Sequence, residues 1–129
     1  MLSIIVELQL LYAFVGSAYN IVSILRVRLG RAPLSATNPR FGMVIMAIVA
    51  GVTLSQPYLG GLIYGIGWAV LVVMLAKGPV TSHFKAITAG HKLEHYSSWM
   101  AAFLAFSINL FGLIVGCIGV VLTAANFIS

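Results

Sequence analysis

The chain gathers all seven of its basic residues around two short connections and leaves the stretches between them almost free of charge. Arg26, Arg28, Arg31 and Arg40 flank the first connection, and Lys77, Lys85 and Lys92 lie in the second. The two acids, Glu7 and Glu94, bring the total to nine charged residues in 129, with 61% of the chain apolar and a mean hydropathy of +1.10. A soluble domain carries about a quarter charged residues. This composition therefore excludes an ordinary water-soluble globule, and its hydrophobicity excludes a solvated, disordered chain. It places the protein among integral membrane proteins.

Polar residues and prolines divide the chain into four apolar segments, at about 2–25, 39–55, 59–76 and 98–127. A helix crosses the hydrocarbon core with about 20 residues, which the first and fourth segments exceed. The second opens at Asn38-Pro39, with Asn as N-cap and Pro at the first helical position, and is short for a span. Ser55-Gln56-Pro57-Tyr58 reads as a tight turn, because the residue before a proline disfavours helix. The third segment is expected to end at Lys77-Gly78-Pro79. The expected fold is all-α: a single membrane domain, a bundle of four transmembrane helices joined on one side by connections at about 26–38 and 77–97.

With four spans, both basic connections fall on the same face. The positive-inside rule makes that face cytoplasmic and puts both termini and the Gln56-Pro57 turn outside. Residues 1–25 contain no Lys or Arg, so the basic n-region of a secretory signal is missing and the first segment is expected to stay in the mature protein. Within the second connection, Val80, Phe84 and Ile87 recur at helical spacing and a shifted stripe of Leu93, Tyr96 and Met100 follows. This predicts an interfacial amphipathic segment before the fourth span, with Tyr96 and Trp99 at headgroup depth. Arg26, Arg28, Arg31, Arg40, Lys85 and Lys92 are the expected contacts to anionic headgroups. No nucleic-acid motif accompanies the positive charge.

Few residues can carry chemistry. His91, Glu94 and His95 spell H-x-x-E-H, the pattern of inverted zinc peptidases, but no Asp or Glu follows Glu94 to serve as a further ligand. A looser metal or cofactor site would join His83 to His91 and His95. A polar interfacial segment with its imidazoles among headgroups explains the same residues more simply. Glu7 sits within a span, where burying a charge is costly and an ionisable group suggests ion coupling; a snorkelling carboxylate near the outer interface is the plainer explanation. Asn20 and Asn109 lie deeper and would join Glu7 in a polar path, although hydrogen bonding between helices is the commoner role. The single Cys117 cannot form an internal disulfide and packs as a small hydrophobe.

Small residues mark helix-packing faces: Gly112 and Gly116 in segment four, Gly61 and Gly65 in segment three, and Ala47 and Gly51 in segment two. Such faces bring helices close in membranes. They suggest a compact bundle, further membrane subunits or a homo-oligomer.

The chain's length, its four segments and the basic connection after the first resemble the membrane-associated eicosanoid and glutathione metabolism proteins. In that family an Arg/Asn/Glu constellation at the start of span two serves glutathione; Asn38 and Arg40 stand there, and no acid follows them. The stretch from Pro33 to Leu54, with Pro33-Leu34 and Phe41-Gly42, is similar to spans of proton-translocating transhydrogenases. There a His near the start of a span takes part in proton transfer, which implies His95. Neither resemblance assigns the chain to a family or names a cofactor.

Three functions are therefore expected, in this order: a non-catalytic subunit or organiser of a membrane complex, packing through small-residue faces; a small proton- or cation-coupled transporter using Glu7, Asn20 and Asn109; and a membrane enzyme or haem or metal protein using His83, His91 and His95.

Overall fold

The computed structural model describes residues 1–128, and among them it is helical with no strand. Helix α1 spans Leu2–Arg28 and α2 Pro39–Leu54. Asn38 caps α2 as its sequence implies: its side-chain oxygen accepts from the Arg40 backbone N–H at 3.0 Å, and Pro39 occupies the first turn. The turn at Ser55–Pro57 runs into a short 3-10 segment, Leu59–Gly61, where Gly60 and Gly61 take φ of 61° and 81°. Glycine adopts that left-handed backbone without steric cost, which lets the chain reverse here.

Helix α3 (Leu62–Leu75) passes through a π-helical turn, Ala76–Val80, into α4 (Thr81–Ala89). The third segment thus does not stop at Lys77-Gly78-Pro79. A proline inside a helix lacks its N–H and crowds the carbonyl of the preceding turn; the widened turn makes room for it. Thr81 adds a tie across the same turn, its hydroxyl donating to the Ala76 carbonyl at 2.6 Å. The residues expected to form one amphipathic interfacial segment are accordingly divided. Thr81–Ala89 extends the third helix, Gly90 ends it with φ of 65°, and a 3-10 turn at Leu93–His95 leads into α5 (Trp99–Ile128).

Among the described residues three helices are long and apolar enough to cross a membrane: Leu2–Arg28, Leu59–Ala89 and Trp99–Ile128. Helix α2, with 16 residues, is apolar but shorter. The four pack as a closed ring in which α1 and α3 each touch both α2 and α5.

Glycines on α5 set the closest approaches. A Cβ at Gly112 would lie 2.5 Å from the Tyr12 ring, and one at Gly116 would lie 2.7 Å from Trp68; Gly119 faces Tyr64 and Gln9. Three large side chains from α1 and α3 thus seat in hollows on α5. Gly65 lies against Thr123 in the same interface. The small-residue faces of α3 and α5 are therefore filled from within the chain. Only the α2 pair, Ala47 and Gly51, looks outward; both are exposed, and a Cβ at Gly51 meets nothing within 4 Å.

Buried polar groups tie this half together. Gln9, fully buried, accepts from the Tyr64 hydroxyl at 2.9 Å and donates to the Val115 carbonyl at 3.1 Å, joining α1, α3 and α5. Trp68 Nε1 donates to Thr53 Oγ1 at 3.1 Å, and that hydroxyl donates in turn to the Val49 carbonyl, joining α3 to α2. In hydrocarbon no water would substitute for these partners, so each unmade bond would be costly.

Candidate functional site: an uncharged cavity at the basic end

Helices α2 and α3 are held together near their shared turn, where Trp68 reaches Thr53 and Gly67 lies against Val52. Toward the basic end the bundle is not filled, and a cavity of about 290 Å³ opens there. Its walls are Met46 and Val49 of α2, Leu71 and Leu75 of α3, and Ala105 and Ile108 of α5. Exposed Phe41 and Met74 stand on the α2 and α3 sides of the lining. Ser35 and Thr37 of the first connection and Ser82 and His83 of α4 also line it.

The first connection is fastened over this end by its own backbone. Leu34 donates its N–H to Ser23 Oγ at 3.0 Å, and Arg26 Nε donates to the Ala32 carbonyl at 3.0 Å. The Tyr19 hydroxyl lies 3.1 Å from the Leu34 carbonyl and 3.0 Å from that of Ala101, so it links the loop, α1 and α5.

Among the described residues no Asp, Glu, Lys or Arg lines the cavity; the polar groups there are hydroxyls, amides and one imidazole. Tyr12 donates to Asn109 Oδ1 at 3.2 Å, while Asn109 Nδ2 donates to the Ala105 carbonyl at 2.8 Å. Asn20 Nδ2 donates to the Gly16 carbonyl at 2.8 Å. His83, 3% exposed, holds the Tyr96 hydroxyl 2.6 Å from its Nδ1, the rings meeting edge to face at 5.7 Å. Tyr96 follows the long helix in the second connection, and burial pushes its phenol above the ordinary range. It therefore keeps its proton.

The candidate residues divide clearly. Asn20, Asn109 and His83 meet at the cavity. Glu7 does not join the two asparagines; it is exposed on α1, outside the lining. His91 and His95 are exposed in turn and 3-10 backbone rather than stacked on one α-helical turn, and His95 pairs with Glu94 at 3.5 Å. Among the described residues no three His, Cys, Asp or Glu side chains are grouped to hold a metal ion. Arg28, Arg31, Arg40, Lys85 and Lys92 are exposed, and Asn38 is occupied in capping α2. Tyr96 is buried against His83 rather than set among headgroups, whereas Trp99 is half exposed, stacked on Phe103, and donates to the Ile87 carbonyl at 3.3 Å.

Sequence reasoning missed Tyr12 and Tyr19. Both bring a hydroxyl deep into an apolar helix, one turn or more from the nearest charge, and a buried phenol needs a partner. That signal was available, and it points to the same interior as Asn20 and Asn109. Compared with protein-family models, curated proteins and solved structures, the chain matches none.

Proposed function

We propose that this is a polytopic membrane protein that binds a small, neutral, amphipathic molecule at the cytoplasmic end of its bundle. The observation that carries the reading is the cavity of about 290 Å³ with apolar walls, a few convergent polar groups and no charge. That size is at the lower edge of ligand pockets, about 300–1,000 Å³. An ionised guest would lie buried without a counter-charge, which is unfavourable; an alcohol, ketone or amide with a short apolar body suits the lining.

The placement in the bilayer belongs to the same proposal. All four helical segments cross, α2 with the shortest reach, about 24 Å at 1.5 Å per residue. Both basic connections face the cytoplasm and both termini lie outside. The 62–89 helix, at about 42 Å, exceeds the ~30 Å hydrocarbon core, so α4 rises into the headgroup layer. The cavity then opens at the boundary between acyl chains and headgroups, where a neutral amphiphile concentrates. Exposed arginines and lysines around it favour anionic lipid.

Native mass spectrometry in mild detergent, with a titration of 2-undecanone as a defined probe, tests the reading. Saturable binding to the wild type and its loss in Met74→Trp, which enlarges a half-exposed lining residue, is the expected result. Absence of saturable binding by the wild type overturns it. The outward Ala47–Gly51 face of α2 favours a second reading, a subunit of a membrane complex or homo-oligomer that docks a helix there; a stable larger species in the same spectra would identify it.

A further inference from the structure

Within the proposed binding cavity, the hydrogen-bond arithmetic of one pair defines the ligand more narrowly. Tyr96 is buried, and its hydroxyl has a single partner among the described residues, His83 Nδ1. The nearby Tyr19 hydroxyl turns its own hydrogen to the carbonyls of Leu34 or Ala101. If the imidazole donated from Nδ1, the Tyr96 hydrogen would be buried with no acceptor. With the phenol donating instead, both atoms are satisfied. A neutral imidazole carries one N–H, so Nδ1 accepts and Nε2 bears the hydrogen. No described residue accepts from Nε2, and His83 lines the cavity.

We propose that His83 Nε2–H is the cavity's recognition donor, that Tyr96 fixes its tautomer, and that the ligand presents an acceptor oxygen to it, a carbonyl above all. This rests on the binding reading of the cavity. It adds a selectivity which that reading does not contain: a ketone, ester or amide binds, and the alkane of equal length binds poorly. Most other polar lining groups are engaged within the chain, Asn109 through Tyr12 and Ala105, Asn20 through Gly16, and Ser35 through Thr37. Ser82 is exposed, so His83 is the buried lining group whose donor has no partner among the described residues. Tyr96 acts only through His83 and is a positioning residue.

The test uses the full chain in nanodiscs with nitrogen-15-labelled histidine. The His83 signals, identified by their disappearance in His83→Gln, should show a protonated Nε2 and an accepting Nδ1. Addition of 2-undecanone should move the Nε2–H resonance downfield, and undecane should not. The ketone should bind about tenfold more tightly than undecane, in line with the net worth of one hydrogen bond. His83→Phe should erase that preference. Tyr96→Phe should weaken it and mix the two tautomers in the histidine spectrum, a change that loss of packing alone does not produce. A proton on Nδ1 in the wild type overturns the assignment without any variant. Equal binding of ketone and alkane overturns the recognition role while leaving the cavity reading intact. Binding of neither overturns both.

Discussion

The two ends of the bundle are built from similar residues and packed by opposite rules. Away from the basic connections, large side chains meet glycine: Tyr64 and Trp68 seat against Gly119 and Gly116, and Gln9 closes the polar ledger across three helices. At the basic end α1 and α2 still pack closely, with Gly16 on Met46 and Gly42 on Asn20. There α2 and α3 meet across unfilled space rather than across a glycine. Glycine opposite an aromatic ring gives contact without volume to spare. Branched and thioether side chains facing one another across Val49, Met74 and Leu75 leave a chamber. The lesson is that one end holds the helices in register so that the other can stay open.

The contrast breaks most severely if the glycine seats are filled. Gly116→Leu drives a side chain into Trp68 and Val72, and should cost about 3 kcal/mol or more, read as loss of the folded state in detergent unfolding titrations. Gly112→Ala adds one carbon 2.5 Å from a ring and should cost a smaller amount, about 1–3 kcal/mol. Next comes the polar tie: Gln9→Leu leaves the buried Tyr64 hydroxyl without its partner and should cost about 1–3 kcal/mol in the same titration. The smallest effect belongs to the chamber. Val49→Ile also adds one carbon, but beside open space, and should change stability by less than about 1 kcal/mol while reducing 2-undecanone binding. Equal penalties for Gly112→Ala and Val49→Ile would erase the distinction between a glycine seat and the open chamber.

Much of this was legible before any coordinates, and for reasons that can be named. Scarce charge and long apolar runs announce membrane helices, because a bilayer leaves the backbone few alternatives. The Asn38-Pro39 cap is local chemistry and reads directly from two letters. The glycine faces were visible too, but not their occupants: G-x-x-x-G says that something large or near will fit, and here it is the chain's own aromatics. The continuation of the third helix through Pro79 was hidden, since the widened turn depends on space that only the packed neighbours define. His83 was grouped with His91 and His95 because all three share a short stretch. Burial separates them, one turned inward to Tyr96 and two left exposed in turns. Asn20 and Asn109 lie 89 positions apart in sequence, and only the antiparallel return of α5 brings them to one chamber.

The π turn at Ala76–Val80 also works as an arithmetic offset. Along α3 the inward positions fall at Tyr64, Trp68, Leu71 and Leu75, spaced four, three and four. A further heptad from Leu75 reaches Ser82, about 20° from the same stripe at 100° per residue. Yet Ser82 is exposed, and His83, one position later, is the buried residue. The wide turn consumes one residue without advancing the helix face, so it shifts the reading frame of α4 by a single place. That shift makes the imidazole rather than the serine the buried residue, although both line the chamber. Removing one residue from the turn, as in deletion of Gly78, would leave His83 seven residues after Leu75, so a regular helix would keep the imidazole on the inward stripe without the wide turn.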